Sequence, residues 1–187
     1  MKSEFEEHPE TDIALQRYLG SDKYRYQSKE RADGTTKHLI VKKHYGEFWL
    51  EETLKGDELE SLNAEEAATF IFHWLSLKRA VARRALPVIG IFMVLFIVPL
   101  IVDNYIIIWI PGFIFDFSSL YTVVVTSVTL VVMFFLIIKT ERSVDVYVYA
   151  TCPNFVLVLQ KIRDSKKDKY EKKHIESRIK RLQEIDS

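Results

Sequence analysis

Two kinds of pattern divide the chain: segments in which apolar residues recur at helical or strand spacing among charges, and two long runs from which charge vanishes. Ala85 to Val102 (ALPVIGIFMVLFIVPLIV) and Phe117 to Ile138 (FSSLYTVVVTSVTLVVMFFLII) contain no charged residue. A bilayer core about 30 Å thick takes about 20 apolar residues as a helix, so both runs qualify as spans, the first only just. Pro87 and Pro99 lie near the ends of the first run, where a missing N–H does least harm. Between the runs, YIIIWIPGF offers Tyr105 and Trp109 as interface anchors in a short loop. The pattern predicts a two-span transmembrane helical hairpin.

Upstream, DIALQRYL (Asp12 to Leu19) predicts a helix, and KERADGTTK a turn-rich loop around Asp33-Gly34. HLIVKKHYGEFWLEETL predicts two strands about Tyr45-Gly46. Asn63-Ala-Glu-Glu is a helix start, with Asn63 as cap, Glu66 at the capping-box position, and Glu65 and Glu66 facing the positive amino end. Ala67, Phe70, Ile71, Trp74 and Leu75 then stripe a helix that runs toward the first apolar run.

Downstream, TERSVDVYVYA fits helix or strand, because Val and Tyr dominate it. PNFVLVLQKIR predicts a helix with Pro153 in its first turn. RDSKKDKYEKKH reads as a solvated linker or frayed helix, and Ile175, Ile179 and Leu182 stripe a final basic helix. The chain contains no internal repeat.

Lys and Arg total 26 against 26 Asp and Glu, so bulk charge argues for no partner, and nucleic acid is not expected. Distribution is more informative. Residues 85–138 contain neither Lys nor Arg and only Asp103 and Asp116 as acids. Lys78, Arg79, Arg83 and Arg84 precede the first run, and Lys139 and Arg142 follow the second. That asymmetry places both termini in the cytoplasm and the chain in the cell membrane as a multi-pass protein. The polar, acidic start MKSEFEEHPETD lacks the apolar core of a secretory signal. Cys152, the single cysteine, then lies in a reducing compartment and reads as a small buried apolar residue.

Three regions follow: an amino-terminal cytoplasmic region 1–84, a transmembrane hairpin 85–138, and carboxy-terminal cytoplasmic helices 139–187. The first is marginal as an independent core and is expected to lean on the third. The expected class is therefore α+β, mainly helical, with a small cytoplasmic domain built from both chain ends. The lipid bilayer is its first expected partner, and self-association is compatible with the pattern. No Gly-rich phosphate loop is present, and Ser76, three residues from His73, does not make a triad.

Taken in order, LNAEEAATFIFHWLSLKR (Leu62 to Arg79), the two apolar runs, ERSVD (Glu141 to Asp145), CPNFVLVLQKI and IESRIKRL resemble the integral-membrane zinc metallopeptidases of the HtpX and CAAX prenyl protease type. In that family a His-Glu-x-x-His helix precedes the membrane pair and a Glu-x-x-x-Asp helix follows it. The resemblance covers roughly residues 37 to 185 as a series of short matches. It implies a zincin-like remnant in which His73 and Glu141 are the zinc ligands, facing each other, and Asp145 supports them from behind.

The chemistry departs from the family at its centre. Two His at i and i+4 share a helix face and hold the metal, while the Glu between them takes a proton from metal-bound water. Here Trp74 stands at the base position and Leu77 at the second ligand position, and neither can accept a proton or bind zinc. His38, His44 and His174 read as surface residues outside such a site. No catalytic residue is expected. The resemblance therefore implies an inactive relative acting through protein binding, with an edge strand holding a protein or polypeptide partner. The alternatives are an active metalloendopeptidase with a rearranged zinc site and a plain membrane-anchored interaction protein.

Overall fold

The computed structural model describes residues 5–31, 33–44, 47–54, 58–106 and 113–185. Pro9 opens helix α1 (Pro9–Leu19), its fixed φ suiting a first helical position, and Gly20 ends the helix in the left-handed conformation at φ 60°. Strands β1 (Glu6–Glu7), β2 (Tyr24–Glu30), β3 (Thr36–His44) and β4 (Glu47–Leu54) form one antiparallel sheet in the order β1-β2-β3-β4. The expected hairpin around residues 45 and 46 is present as β3 and β4, although those two residues lie outside the described ones.

Strand β2 is an addition to the sequence reading. Tyr24, Tyr26 and Ser28 alternate inward along it, and Lys29 and Glu30, which read as loop, complete it. Gly34, at φ 77°, turns the chain into β3, with Asp33 Oδ1 accepting from the Thr35 N–H and hydroxyl.

Helix α2 (Ala64–Ile106) begins with the predicted capping box. Asn63 Oδ1 accepts from the Glu66 N–H and Glu66 Oε2 from the Asn63 N–H, both at 2.9 Å. Lys161 also donates to Glu66, at 2.7 Å. Burial alone would raise the Glu66 carboxyl, but the bonds from Lys161 and the Asn63 backbone outweigh it and hold the group below its ordinary 4.5. Asn63→Ala should cost about 1 kcal/mol, read as a lower denaturation midpoint with unchanged slope.

Helix α3 (Phe113–Thr151) runs through TERSVDVYVYA, so its Val and Tyr residues are helical. Helix α4 (Phe155–Ser165) starts after Asn154, which leaves Pro153 outside it rather than in its first turn. Helix α5 (Lys169–Gln183) is capped by the Asp168 side chain, which accepts from the Tyr170 N–H at 2.9 Å. The expected lysine-rich linker thus shrinks to residues 166–168.

The chain divides into two compact units, Met1–Leu75 with Val144–Ser187, and Ser76–Ser143. In the first, both chain ends share one core, as expected. Ala67, Ala68, Ile71, Phe72 and Leu75 of α2 are buried with Val144 and Val148 of α3, Phe155 and Leu159 of α4, and Ile175, Ile179 and Leu182 of α5. The buried stripe on α2 is rotated from the sequence reading: Phe70 and Trp74 are half-buried, whereas Phe72 is enclosed. Asp12 of α1 accepts from the Tyr26 N–H at 2.7 Å and so ties α1 to β2.

Within the second unit, Arg84 meets Thr140 and Tyr121 meets the Leu95 carbonyl, so α2 and α3 run antiparallel. Their described apolar side chains point outward: Leu86 is 67% exposed, Leu130 65% and Phe135 65%. Among the described residues one segment, Val123–Thr151, is long and apolar enough to cross a membrane, with a mean hydropathy of 2.4. Trp109 lies outside the described residues, as does the side chain of Tyr105.

Candidate functional site: a buried charge centre

Three charged or titratable side chains meet inside the first unit. His73 comes from α2, Asp145 from α3 and Arg178 from α5, and all three are at least nine-tenths buried. Asp145 and Arg178 stand on helix faces with buried apolar neighbours, while His73 shares its face of α2 with the buried Thr69 and Glu66, and packing these faces brings the three together. Val144 and Val148 flank Asp145, while Ile175, Ile179 and Leu182 surround Arg178 at helical spacing. The His73 ring stacks on Phe155, with centroids 5.1 Å apart.

Arg178 binds Asp145 in the two-pronged manner that suits a planar guanidinium. Its Nε donates to Oδ2 at 2.9 Å and its Nη2 to Oδ1 at 2.6 Å. His73 Nε2 lies 3.0 Å from Asp145 Oδ1 and 3.0 Å from Arg178 Nη2. When Nδ1 carries the imidazole proton, Nε2 accepts the second Nη2 hydrogen. When Nε2 carries it, the ring donates to Asp145 instead. In either tautomer Nε2 is committed inside the centre. Arg181 adds a second guanidinium 4.0 Å from Asp145 Oδ2.

Asp145 lies beyond the apolar run that ends at Ile138. Burial pushes its carboxyl upward, but bonds from His73 and Arg178 and the Arg178 charge outweigh that, holding it below the ordinary 3.8. A carboxylate is therefore the working form, and the centre is a closed ion pair with an imidazole attached.

These contacts decide how the centre suits zinc. A metal on His73 Nε2 would stand against a fixed guanidinium that can neither lose its charge nor act as a ligand. The donor set does not fit the ion. Among the described residues no group of three or more His, Cys, Asp or Glu side chains is arranged to hold a metal. The residue that meets His73 is Asp145, expected behind the ligands. Glu141, expected as the ligand itself, is half-buried one turn earlier on α3 and belongs to the other unit. Trp74 is half-buried beside His73, and Leu77 follows on α2 in the second unit.

Arg178 is the member that sequence reasoning missed. Its signal was present in the spacing of Ile175, Arg178, Ile179 and Leu182, where an arginine occupies one position of an apolar helical stripe. Such a residue must find a buried acid, and Asp145 next to Val144 is the matching exception on α3.

His38 also departs from its expected surface location. It is 3% exposed, its Nδ1 lies 2.7 Å from the Tyr26 hydroxyl, and it lines a cavity of about 360 Å³ with His8, Tyr26, Ser28 and Glu60. His174 is exposed, as expected, and the side chain of His44 lies outside the described residues. Cys152 is fully buried, and that burial pushes its thiol up to about 11. It should resist alkylation in the folded protein at neutral pH and react at once after denaturation, a difference that mass spectrometry reads directly.

Comparison with protein-family models, curated proteins and solved structures gives no match to this chain.

Proposed function

We propose that the protein is a membrane-anchored binding protein without catalytic chemistry. Ala85–Val102 and Phe117–Ile138 cross the bilayer as a hairpin, and both termini are cytoplasmic. The outward apolar side chains of α2 and α3 support the anchoring, because a contiguous apolar exterior of this extent calls for lipid or a protein partner. The positive charges flanking the two runs support the orientation.

The observation that carries the non-catalytic reading is the guanidinium of Arg178 on His73 and Asp145. A peptidase of the HtpX type needs an open cation there and a base beside it. This chain supplies a covalently fixed cation and Trp74. The ordered sequence resemblance, together with the meeting of His73 and Asp145 from the two helices it pairs, supports descent from such an enzyme. Binding is assigned to β4, which lies at the end of the sheet order, where an extended partner segment would add as a further strand.

Detergent-solubilised full-length protein should hydrolyse neither casein nor a membrane polypeptide, with or without added zinc. Chelator-sensitive hydrolysis that vanishes in His73→Ala would overturn this reading and restore the active metalloendopeptidase.

A further inference from the structure

In the second unit Arg84 stands where the charged part of α2 gives way to its first apolar run. Its Nη1 donates to the buried Thr140 hydroxyl at 3.0 Å, which fixes the guanidinium between the two antiparallel helices. Beneath it Val81, Ala85, Met133, Leu136 and Ile137 close the helix interface to a crevice of only about 10 Å³. A fork of N–H donors therefore stands at the border of the apolar surface of the helix pair, where Ile137 beside it is exposed.

We infer that this border binds an anionic phospholipid, with the headgroup phosphate on Arg84 and the first acyl methylenes across the exposed side chain of Ile137. The guanidinium matches a phosphate oxygen pair in shape as well as charge. Residues 76–84 and 139–143 add Lys78, Arg79, Arg83, Lys139 and Arg142, against Glu141 as their one acid. That balance favours an anion at this end of the hairpin. An apolar wall immediately below the cation favours an amphiphile over a free inorganic anion. Anionic lipid also belongs to the leaflet on which basic flanks are expected.

The inference rests on the membrane reading, and spin-labelled lipids separate the two. The full chain is reconstituted in phosphatidylcholine bilayers containing trace spin-labelled phosphatidylglycerol or phosphatidylcholine, and the motionally restricted fraction of each label is measured. The restricted fraction should be larger for phosphatidylglycerol. Arg84→Gln should reduce that selectivity about five-fold, Arg84→Lys should fall between, and Arg25→Gln, on the sheet, should leave it unchanged.

Equal restriction of both labels, or selectivity that survives Arg84→Gln, would overturn the lipid site while leaving the anchored hairpin standing. No restricted lipid of either kind would overturn the membrane reading itself.

Discussion

Asp145→Ala should destabilise the first unit by about 3–5 kcal/mol, the largest effect expected of any single polar substitution in the protein. The cause is what remains after the carboxylate is gone. Arg178 is buried among Ile175, Ile179 and Leu182, and its Nε and Nη2 both bond to Asp145. A guanidinium cannot neutralise itself by releasing a proton, so α5 must pull away or the charge stays buried and unpaired. Chemical denaturation of the full-length protein in detergent, followed by near-ultraviolet circular dichroism, measures the loss.

The matching control removes all the charge at once. Asp145→Leu combined with Arg178→Met and His73→Leu should be neutral or more stable than the parent, because desolvating an ion pair offsets most of its attraction. The pH dependence carries a definite sign. The folded carboxyl of Asp145 titrates below its ordinary 3.8, so its contribution is complete above that value and is lost as pH falls through the lower, folded one. Stability should therefore hold from neutrality into mild acid and fall steeply only below about pH 4. In the Asp145→Leu, Arg178→Met, His73→Leu variant this component of the acid transition should disappear.

The second large effect is at Phe155. Its side chain is 1% exposed, and its ring stacks on His73, so one residue both fills the core and backs the charge centre. Phe155→Ala should cost about 3–5 kcal/mol through lost burial and the cavity left behind. Phe155→Leu should cost less, since it keeps most of the volume. A cost for Phe155→Ala below about 1 kcal/mol would mean that α4 does not pack as described.

Elements marked by local chemistry are legible in the sequence alone. The Asn63 and Glu66 capping box, the helix from Asp12, and the β3–β4 hairpin are written in cap residues, period and turn residues that act within a few positions. The sharing of one core by both chain ends followed from the small size of the amino-terminal region. Strand β2 was hidden because its outward residues, Arg25, Gln27 and Lys29, make it look like loop, and its inward members are two tyrosines and a serine. On α2 the inward face was misplaced by about one residue, since Phe70 and Trp74 are as apolar as the Phe72 that is enclosed.

The charge centre was half legible. His73 and Asp145 stood out, yet their partner is 105 positions from one and 33 from the other, and no local rule links such residues. Only the oddity of Arg178 within an apolar stripe pointed to it. That same arginine separates a resemblance in motif order from a resemblance in chemistry, since it places a permanent cation at the His73 nitrogen where a metallopeptidase would bind its metal.

The most direct test is the zinc content per chain of the purified full-length protein, measured by elemental analysis beside His73→Ala and Glu141→Ala after equilibration with zinc and removal of the excess. The charge-centre account predicts no stoichiometric metal in the parent and no change in either variant. Near-stoichiometric zinc, lost when His73 or Glu141 is replaced, would contradict it and make the centre a metal site after all.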